Sequence, residues 1–290
     1  KQSGEYPWLY DISAASQQRT LKNLDDAYKR FFKKKARFPK FKKKKNEQSF
    51  QLSGGVRVQG NRLYIPKFDK GLKFNRELPP YEKINNVTIK QKASGTYYAV
   101  LSVEAEVEEY QKTGKATGID LGLKEFAIYD NGKKVKQPKH YRKKERDLKK
   151  HQKHLSRKKK GSNRKEKQRK KVAKIHEKIA NSRKDFLHKT SSFAVKNFDT
   201  IAVEDLAVQN MMKNHNLAKS VADASWSEFV RQLEYKAAWY GKEFVKIGRF
   251  YPSSKACSEC GWINDSLSLK DREWECLGCG AQHDRDINAA

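Results

Sequence analysis

The chain has 290 residues, enough for two or three domains that each hold a core. Sixty-four Lys+Arg against 34 Asp+Glu give a formal charge of +30, and such an excess calls for a polyanionic partner, because each neutralised phosphate releases a condensed counterion. The sequence has no secretory signal and no apolar run of about 18 residues, which excludes a membrane-spanning helix, and its basic segments lack the apolar face of a membrane-surface helix.

Residues 13–36 read as a helix, with Leu21, Leu24, Tyr28, Phe31 and Phe32 at three- and four-residue spacing and Pro39 as its stop. Phe31 and Phe32 are expected in the core. Residues 29–45 carry eleven Lys/Arg and no acid, an exposed arm in which Lys33, Lys34, Lys35, Lys42 and Lys43 are candidate phosphate contacts. From Ser49 to about Glu106 the apolar period falls to two. Val56-Arg57-Val58 and Leu63-Tyr64-Ile65 flank a turn at Gly60-Asn61, and Val87–Lys90 and Tyr97–Val103 flank one at Ala93-Ser94-Gly95. A small antiparallel barrel or sheet is expected.

Two further strands follow, Ala116–Gly122 and Phe126–Tyr129, the second running into the turn signal Asp130-Asn131-Gly132-Lys133. Residues 140–197 are helical, broken at Gly161-Ser162-Asn163 into a pair, with Val172, Ile175, Ile179 and Phe186 as the buried stripe of the second helix. Residues 139–171 alone carry eighteen Lys/Arg against three acids, and Lys158, Lys159 and Lys160 join the candidate phosphate contacts. Thr200–Val203 is a short strand with Glu204 at its end. Residues 226–246 read as an amphipathic helix, with Trp239-Tyr240 among its apolar positions, and Phe244–Ile247 as a strand.

Four cysteines form two C-x2-C knuckles, Cys257/Cys260 and Cys276/Cys279, 15 residues apart. Each knuckle supplies two thiolates from one tight turn, and a folded spacer brings the pairs into a tetrahedron, so one structural zinc is expected. The concentration of all four thiols there implies a reducing, intracellular setting. His283 is not needed as a further ligand, and Trp262 and Trp274 are expected to pack on the ribbon.

An acid inside an apolar strand is costly unless paired or metal-bound. Asp120 lies in such a strand, Glu204 ends another, and Asp284 and Asp286 stand at a helix start. Three converging acids can hold two Mg²⁺ ions about 3.5–4 Å apart for phosphodiester hydrolysis. The residues by themselves leave Asp284 and Asp286 open as the third acid. Arg231 and Gln232 are candidates to approach the site or DNA, Arg285 is a candidate phosphate contact, and Asp205 is expected to face away.

Gly118-Ile119-Asp120-Leu121-Gly122, Ala202-Val203-Glu204-Asp205-Leu206, Tyr251-Pro252-Ser253-Ser254-Lys255 leading into the first knuckle, and Asp284-Arg285-Asp286-Ile287-Asn288-Ala289-Ala290 occur in one order. In this ordered set the chain resembles the TnpB family, transposon-encoded relatives of the type V CRISPR effector nucleases. The resemblance implies an α/β, multi-domain fold: a helical recognition segment with its basic arm over 1–48, a wedge-like β-barrel over 49–113, and an RNase H-like RuvC domain over 114–290 that includes the basic helical pair 139–197 and the zinc ribbon 252–282. It implies an RNA-guided DNA endonuclease that binds guide RNA and double-stranded target DNA, and it selects Asp120, Glu204 and Asp286 as catalytic magnesium ligands. Family members begin with a further strand and helices, so trimming of the termini is expected. A cytoplasmic location in a bacterial or archaeal cell, at the nucleoid when DNA-bound, goes with this reading. Two rivals stand: a binding or repressor protein without cleavage, which the charge and ribbon fit equally well, and a strand-joining transposase, which the same two-metal chemistry would serve. Oligomeric state is not legible.

Overall fold

The computed structural model describes residues 6–41, 48–268 and 270–290. It is a mixed α/β structure whose contacts divide it into two compact units, Lys1–Glu106 with Lys158–Lys174, and Val107–Arg157 with Ile175–Ala290.

The first unit starts with a 3-10 turn, Pro7–Tyr10, and helix α1, Ala14–Phe32. The helix stops before the expected residue 36, because the chain turns through Lys34 at φ 54° and brings Phe38 back against Tyr28 and Phe31. The expected core stripe does not form: Leu21 is 67% exposed and Phe32 73% exposed. Small residues explain this. Ser16 is the buried position of α1, and Ala15 packs on the neighbouring core, so the helix docks by its narrow N-terminal end while its aromatic residues pack on one another. Arg19 Nε donates to Gln51 Oε1 at 2.9 Å and holds that end to the first strand.

Six strands follow: β1 Gln48–Leu52, β2 Arg57–Gln59, β3 Arg62–Ile65, β4 Phe68–Lys73, β5 Lys83–Gln91 and β6 Tyr97–Glu104. They form two antiparallel three-stranded sheets, β1-β5-β6 and β2-β3-β4, and do not hydrogen-bond into a single closed barrel. Both expected hairpins form. Gln59 pairs with Arg62 across the Gly60-Asn61 turn, where glycine adopts φ 56°. Leu52, Val87 and Ile89 of one sheet and Leu63 and Ile65 of the other share one core. β4 was not expected, since Asp69, Lys70 and Gly71 interrupt its alternation.

The second unit contains β7 Ala116–Asp120, β8 Glu125–Tyr129, β9 Lys134–Lys136, α2 His140–Ser156, most of α3 Asn163–Asn197, β10 Thr200–Glu204, α4 Val208–Met211, α5 Ala218–Ala224, α6 Trp226–Trp239, β11 Glu243–Ile247, β12 Glu273–Glu275, β13 Gln282–Asp284 and α7 Arg285–Asn288. Its five-stranded sheet has the order β11-β10-β7-β8-β9. β7, β10 and β11 run parallel, and β8 runs antiparallel to both of its neighbours, β7 and β9. Leu187, Ala194 and Val195 of α3 and Trp226, Phe229 and Leu233 of α6 pack with Ile119, Phe126, Tyr129, Ile201 and Val203 of the sheet. The helix expected over 226–246 ends at Trp239, where Gly241 at φ 66° turns the chain into β11. Trp239 is therefore exposed, and Tyr240 stacks on Tyr110 with centroids 4.1 Å apart.

Gln232 lies wholly inside this core and is not available to DNA. Its amide oxygen accepts from Ser191 Oγ at 3.1 Å. Beside it the buried Lys236 ammonium donates to Ser191 Oγ, Ser192 Oγ and the His188 carbonyl at 2.8, 2.8 and 3.0 Å, which satisfies its donors without a carboxylate. Burial holds its pKa down to about 8. Arg231 pairs with Glu228 at 2.8 Å. Among the described residues no helix is long and apolar enough to cross a membrane.

Candidate active site

β10 lies beside β7 in parallel, with Val203 opposite Ile119. Because side chains alternate across a strand, these two fill the core, and the next residues, Glu204 and Asp120, stand side by side at the strand ends, each half-buried. Gly118, two residues before Asp120, shares its face. A Cβ built on Gly118 would lie 1.1 Å from the Ala290 carbonyl oxygen, so the missing side chain is what lets the segment after α7 approach the sheet. Ile287 Cδ1 packs 3.5 Å from the equivalent point on Gly132, in the β8–β9 turn. Asp286, in the same segment, lies near enough to Asp120 for the two charges to act on each other.

The charges interact. Burial is the largest cause of a raised Asp120 pKa, followed by the negative charges of Glu204 and Asp286, and together they push it to about 6. Glu204 Oε1 accepts from the Ser253 hydroxyl. Asp286 Oδ1 accepts from Arg272 Nη1 at 3.1 Å. Asp284 has a different job: it caps α7, accepting from the amides of Asp286 and Ile287 at 2.9 and 3.1 Å, and its carboxylate lies 3.5 Å from Lys134 Nζ. Asp205 turns away to pair with Arg249 at 2.6 Å, and Arg285 Nη1 reaches the Ser268 carbonyl at 3.4 Å.

The four cysteines are brought together tightly, with all their sulfurs within 4.8 Å of one another. Tetrahedral Zn–S bonds of about 2.3 Å require sulfurs roughly 3.8 Å apart. Cys257 and Cys279 lie 3.7 Å apart, and Cys260 and Cys276 3.5 Å apart, so the cluster is consistent with one structural zinc. Gly261 and Gly280, at φ 76° and 73°, follow the second cysteine of each knuckle. Trp274 is buried in the ribbon and Trp262 packs against it, as expected. His283 Nε2 lies 3.1 Å from Cys257 Sγ, near enough to donate to a thiolate. The three carboxylates are not drawn as closely as the sulfurs. Two Mg²⁺ ions about 3.5–4 Å apart do not require this, because acids serving different ions can stand further apart than ligands of one ion.

Of the candidate phosphate contacts, Lys33, Lys34 and Lys35 are exposed at the end of α1, and Lys158, Lys159 and Lys160 lie between α2 and α3, the last two exposed. Lys42 and Lys43 lie outside the described residues. Ser253 and Arg272 had not been singled out. Ser253 stands inside the motif that leads into the first knuckle, but nothing in its residue type or spacing shows that it reaches Glu204.

Residues 100–215 match the family model OrfB_IS605, described as "Probable transposase", and residues 226–290 match the Cas12f1-like TNB domain. A Streptomyces pristinaespiralis protein named "Putative RNA-guided DNA endonuclease" is 38% identical over 294 residues, covering 100% of this chain and 73% of the relative. "Putative RNA-guided DNA endonuclease InsQ" of Escherichia coli K12 is 32% identical over 308 residues, covering 100% of this chain and 76% of the relative. Among solved structures, the fold is similar to a chain in the "Cryo-EM structure of the Cas12f1-sgRNA-target DNA complex", with a TM-score of 0.57 at 15% identity over 96% of this chain and 69% of that one.

Proposed function

Because the chain belongs to the TnpB family, the IS605 OrfB group with Cas12f-like relatives, we propose that it is an RNA-guided DNA endonuclease that hydrolyses target DNA with Asp120, Glu204 and Asp286. The observation that carries this reading is electrostatic: Asp120, at the end of a central parallel strand, has its pKa raised by Glu204 and Asp286 as well as by burial. Three acids that repel one another at one sheet end are an arrangement a divalent cation relieves. Their hard oxygens fit magnesium, and a mixed five-stranded sheet whose adjacent parallel strands end in two of them supports an RNase H-like, RuvC-type domain. The two three-stranded sheets of the first unit take the wedge role, with α1 as the recognition segment.

When bound, the magnesium ions supply Lewis acidity to the attacking water and to the leaving oxygen of the phosphodiester. Asp120, on which the charges of both Glu204 and Asp286 act, would be a magnesium ligand. Glu204 is oriented by Ser253. Asp286, in the first turn of α7, accepts from Arg272 and would offer its carboxylate to the ion. Asp284 stays with the helix cap. Lys33, Lys34, Lys35, Lys158, Lys159 and Lys160, with Lys42 and Lys43, bind the guide RNA and the RNA–DNA hybrid through phosphates, while base pairing carries sequence. The cysteine cluster takes zinc as a structural ion, since protein thiolates fill all four positions.

The test is to sequence the RNA that copurifies with the protein, then incubate the complex with DNA matching that RNA in Mg²⁺. Guide-matched cleavage is expected. A complex that binds the DNA and never cuts it would identify a binding protein, and joined DNA ends would identify a strand-transferring transposase.

A further inference from the structure

One side chain, that of Asn288, makes three hydrogen bonds to the segment that leads into the first zinc knuckle. The Asn288 amide nitrogen donates to the Ser253 carbonyl at 3.2 Å and to the Ala256 carbonyl at 2.7 Å. Its amide oxygen accepts from the Ser258 amide at 3.0 Å. Ala256 and Ser258 flank the zinc-knuckle residue Cys257, and Asn288 ends the α7 helix that carries Asp286. Ser253 completes the path: its carbonyl is held by Asn288, and its hydroxyl donates to Glu204. Ribbon, α7 and β10 end are thus joined by four hydrogen bonds through two side chains.

We propose that Ser253 and Asn288 are positioning residues through which the zinc ribbon fixes Glu204 relative to Asp286. The proposal rests on the nuclease reading above. Neither side chain is suited to be a metal ligand here, because both amide N–H groups and the amide oxygen of Asn288 are engaged, and the Ser253 hydroxyl is spent on Glu204. Their effect is preorganisation. The like charges of Glu204 and Asp286 oppose that of Asp120. Arg272 restrains Asp286, and Ser253 restrains Glu204 by a bond to one oxygen, with its own backbone anchored by Asn288. Outer hydrogen bonds of this kind are worth roughly 10–100-fold in metal affinity. The arrangement also gives the ribbon, remote in sequence from β7 and β10, a physical connection to the acids.

The test uses the full chain with its guide RNA and target DNA, and the variants Ser253→Ala, Ser253→Thr and Asn288→Ala. Each is measured for the Mg²⁺ concentration giving half-maximal cleavage, for Mn²⁺ binding by electron paramagnetic resonance, for zinc content and for melting temperature. Ser253→Ala and Asn288→Ala are expected to raise the Mg²⁺ midpoint and weaken Mn²⁺ binding roughly 10–100-fold with zinc retained. Ser253→Thr, which keeps the hydroxyl, is expected to restore both towards wild type. A lower melting temperature with an unchanged Mg²⁺ midpoint would reduce these residues to packing and overturn the proposal, as would equal effects of Ala and Thr at 253. A Glu204→Gln control separates the two levels. If it cuts normally, the nuclease assignment fails. If it is inactive while Ser253→Ala keeps the wild-type midpoint and Mn²⁺ affinity, only the positioning role fails.

Discussion

Replacing Asp120 by Asn should stabilise the protein while abolishing cleavage. The ordinary pKa of 3.8 is raised in the fold to about 6, so the folded state binds the extra proton more tightly than the unfolded chain does. The associated stability is fully present below pH 3.8 and is lost as pH rises through about 6. At pH 8 the ionised carboxylate therefore costs the metal-free fold at most about 3 kcal/mol, at 1.36 kcal/mol per pKa unit. At pH 5 the cost is about half of that. Asparagine keeps the shape and removes the charge. In magnesium-free buffer with zinc retained, urea unfolding should give Asp120→Asn the higher midpoint at pH 8, with the gap narrowing at pH 5. Adding Mg²⁺ should then raise the wild-type midpoint and leave the variant where it was, because a ligand stabilises only the state that binds it. A variant less stable than wild type by the same amount at both pH values would refute the electrostatic reasoning.

Cys276→Ser should reduce zinc content and lower the melting temperature, because a structural site that loses one thiolate gives up metal-binding energy that is also folding energy; zinc content and melting scans check this. Asp284→Ala should cost about 0.5–2 kcal/mol through the lost α7 cap while the variant complex still cuts, and unfolding and cleavage assays together would show whether the first acid of this pair is structural. Lys236→Met should flatten the rise in stability that wild type shows as pH climbs from about 8 towards 10.5, since a Lys with a depressed folded pKa costs stability where it is forced to ionise; denaturation at pH 7.5 and 10 tests it.

The zinc knuckles were legible because their geometry is local: two residues between paired thiols, a glycine after each pair, and a spacer long enough to fold back. The strand-end positions of Asp120 and Glu204 were legible because an acid in or after an otherwise apolar strand is conspicuous. Asp284 and Asp286 could not be separated by residue type, since an acid at a helix start serves equally as cap or ligand. In the fold they differ: Asp284 turns back to cap the α7 amides, whereas Asp286 pairs with Arg272. The apolar stripe of α1 misled because periodicity reports a face but not whether another element covers it. Leu21 and Phe32 have the right spacing and remain exposed. Trp239 misled similarly, as the helix ended beneath it. The hydrogen bonds of Ser253, Asn288 and the buried Lys236 left no signal, because the partners lie 30 to 49 residues away and ordinary polar side chains carry no mark of a distant bond.

The most direct test of the account is cleavage of guide-matched DNA by the purified protein–RNA complex with Asp286→Asn beside wild type, with DNA binding measured on the same samples. The account predicts Mg²⁺-dependent cutting by wild type, and loss of cutting with retained binding in the variant. Cutting by Asp286→Asn at the wild-type rate would contradict it.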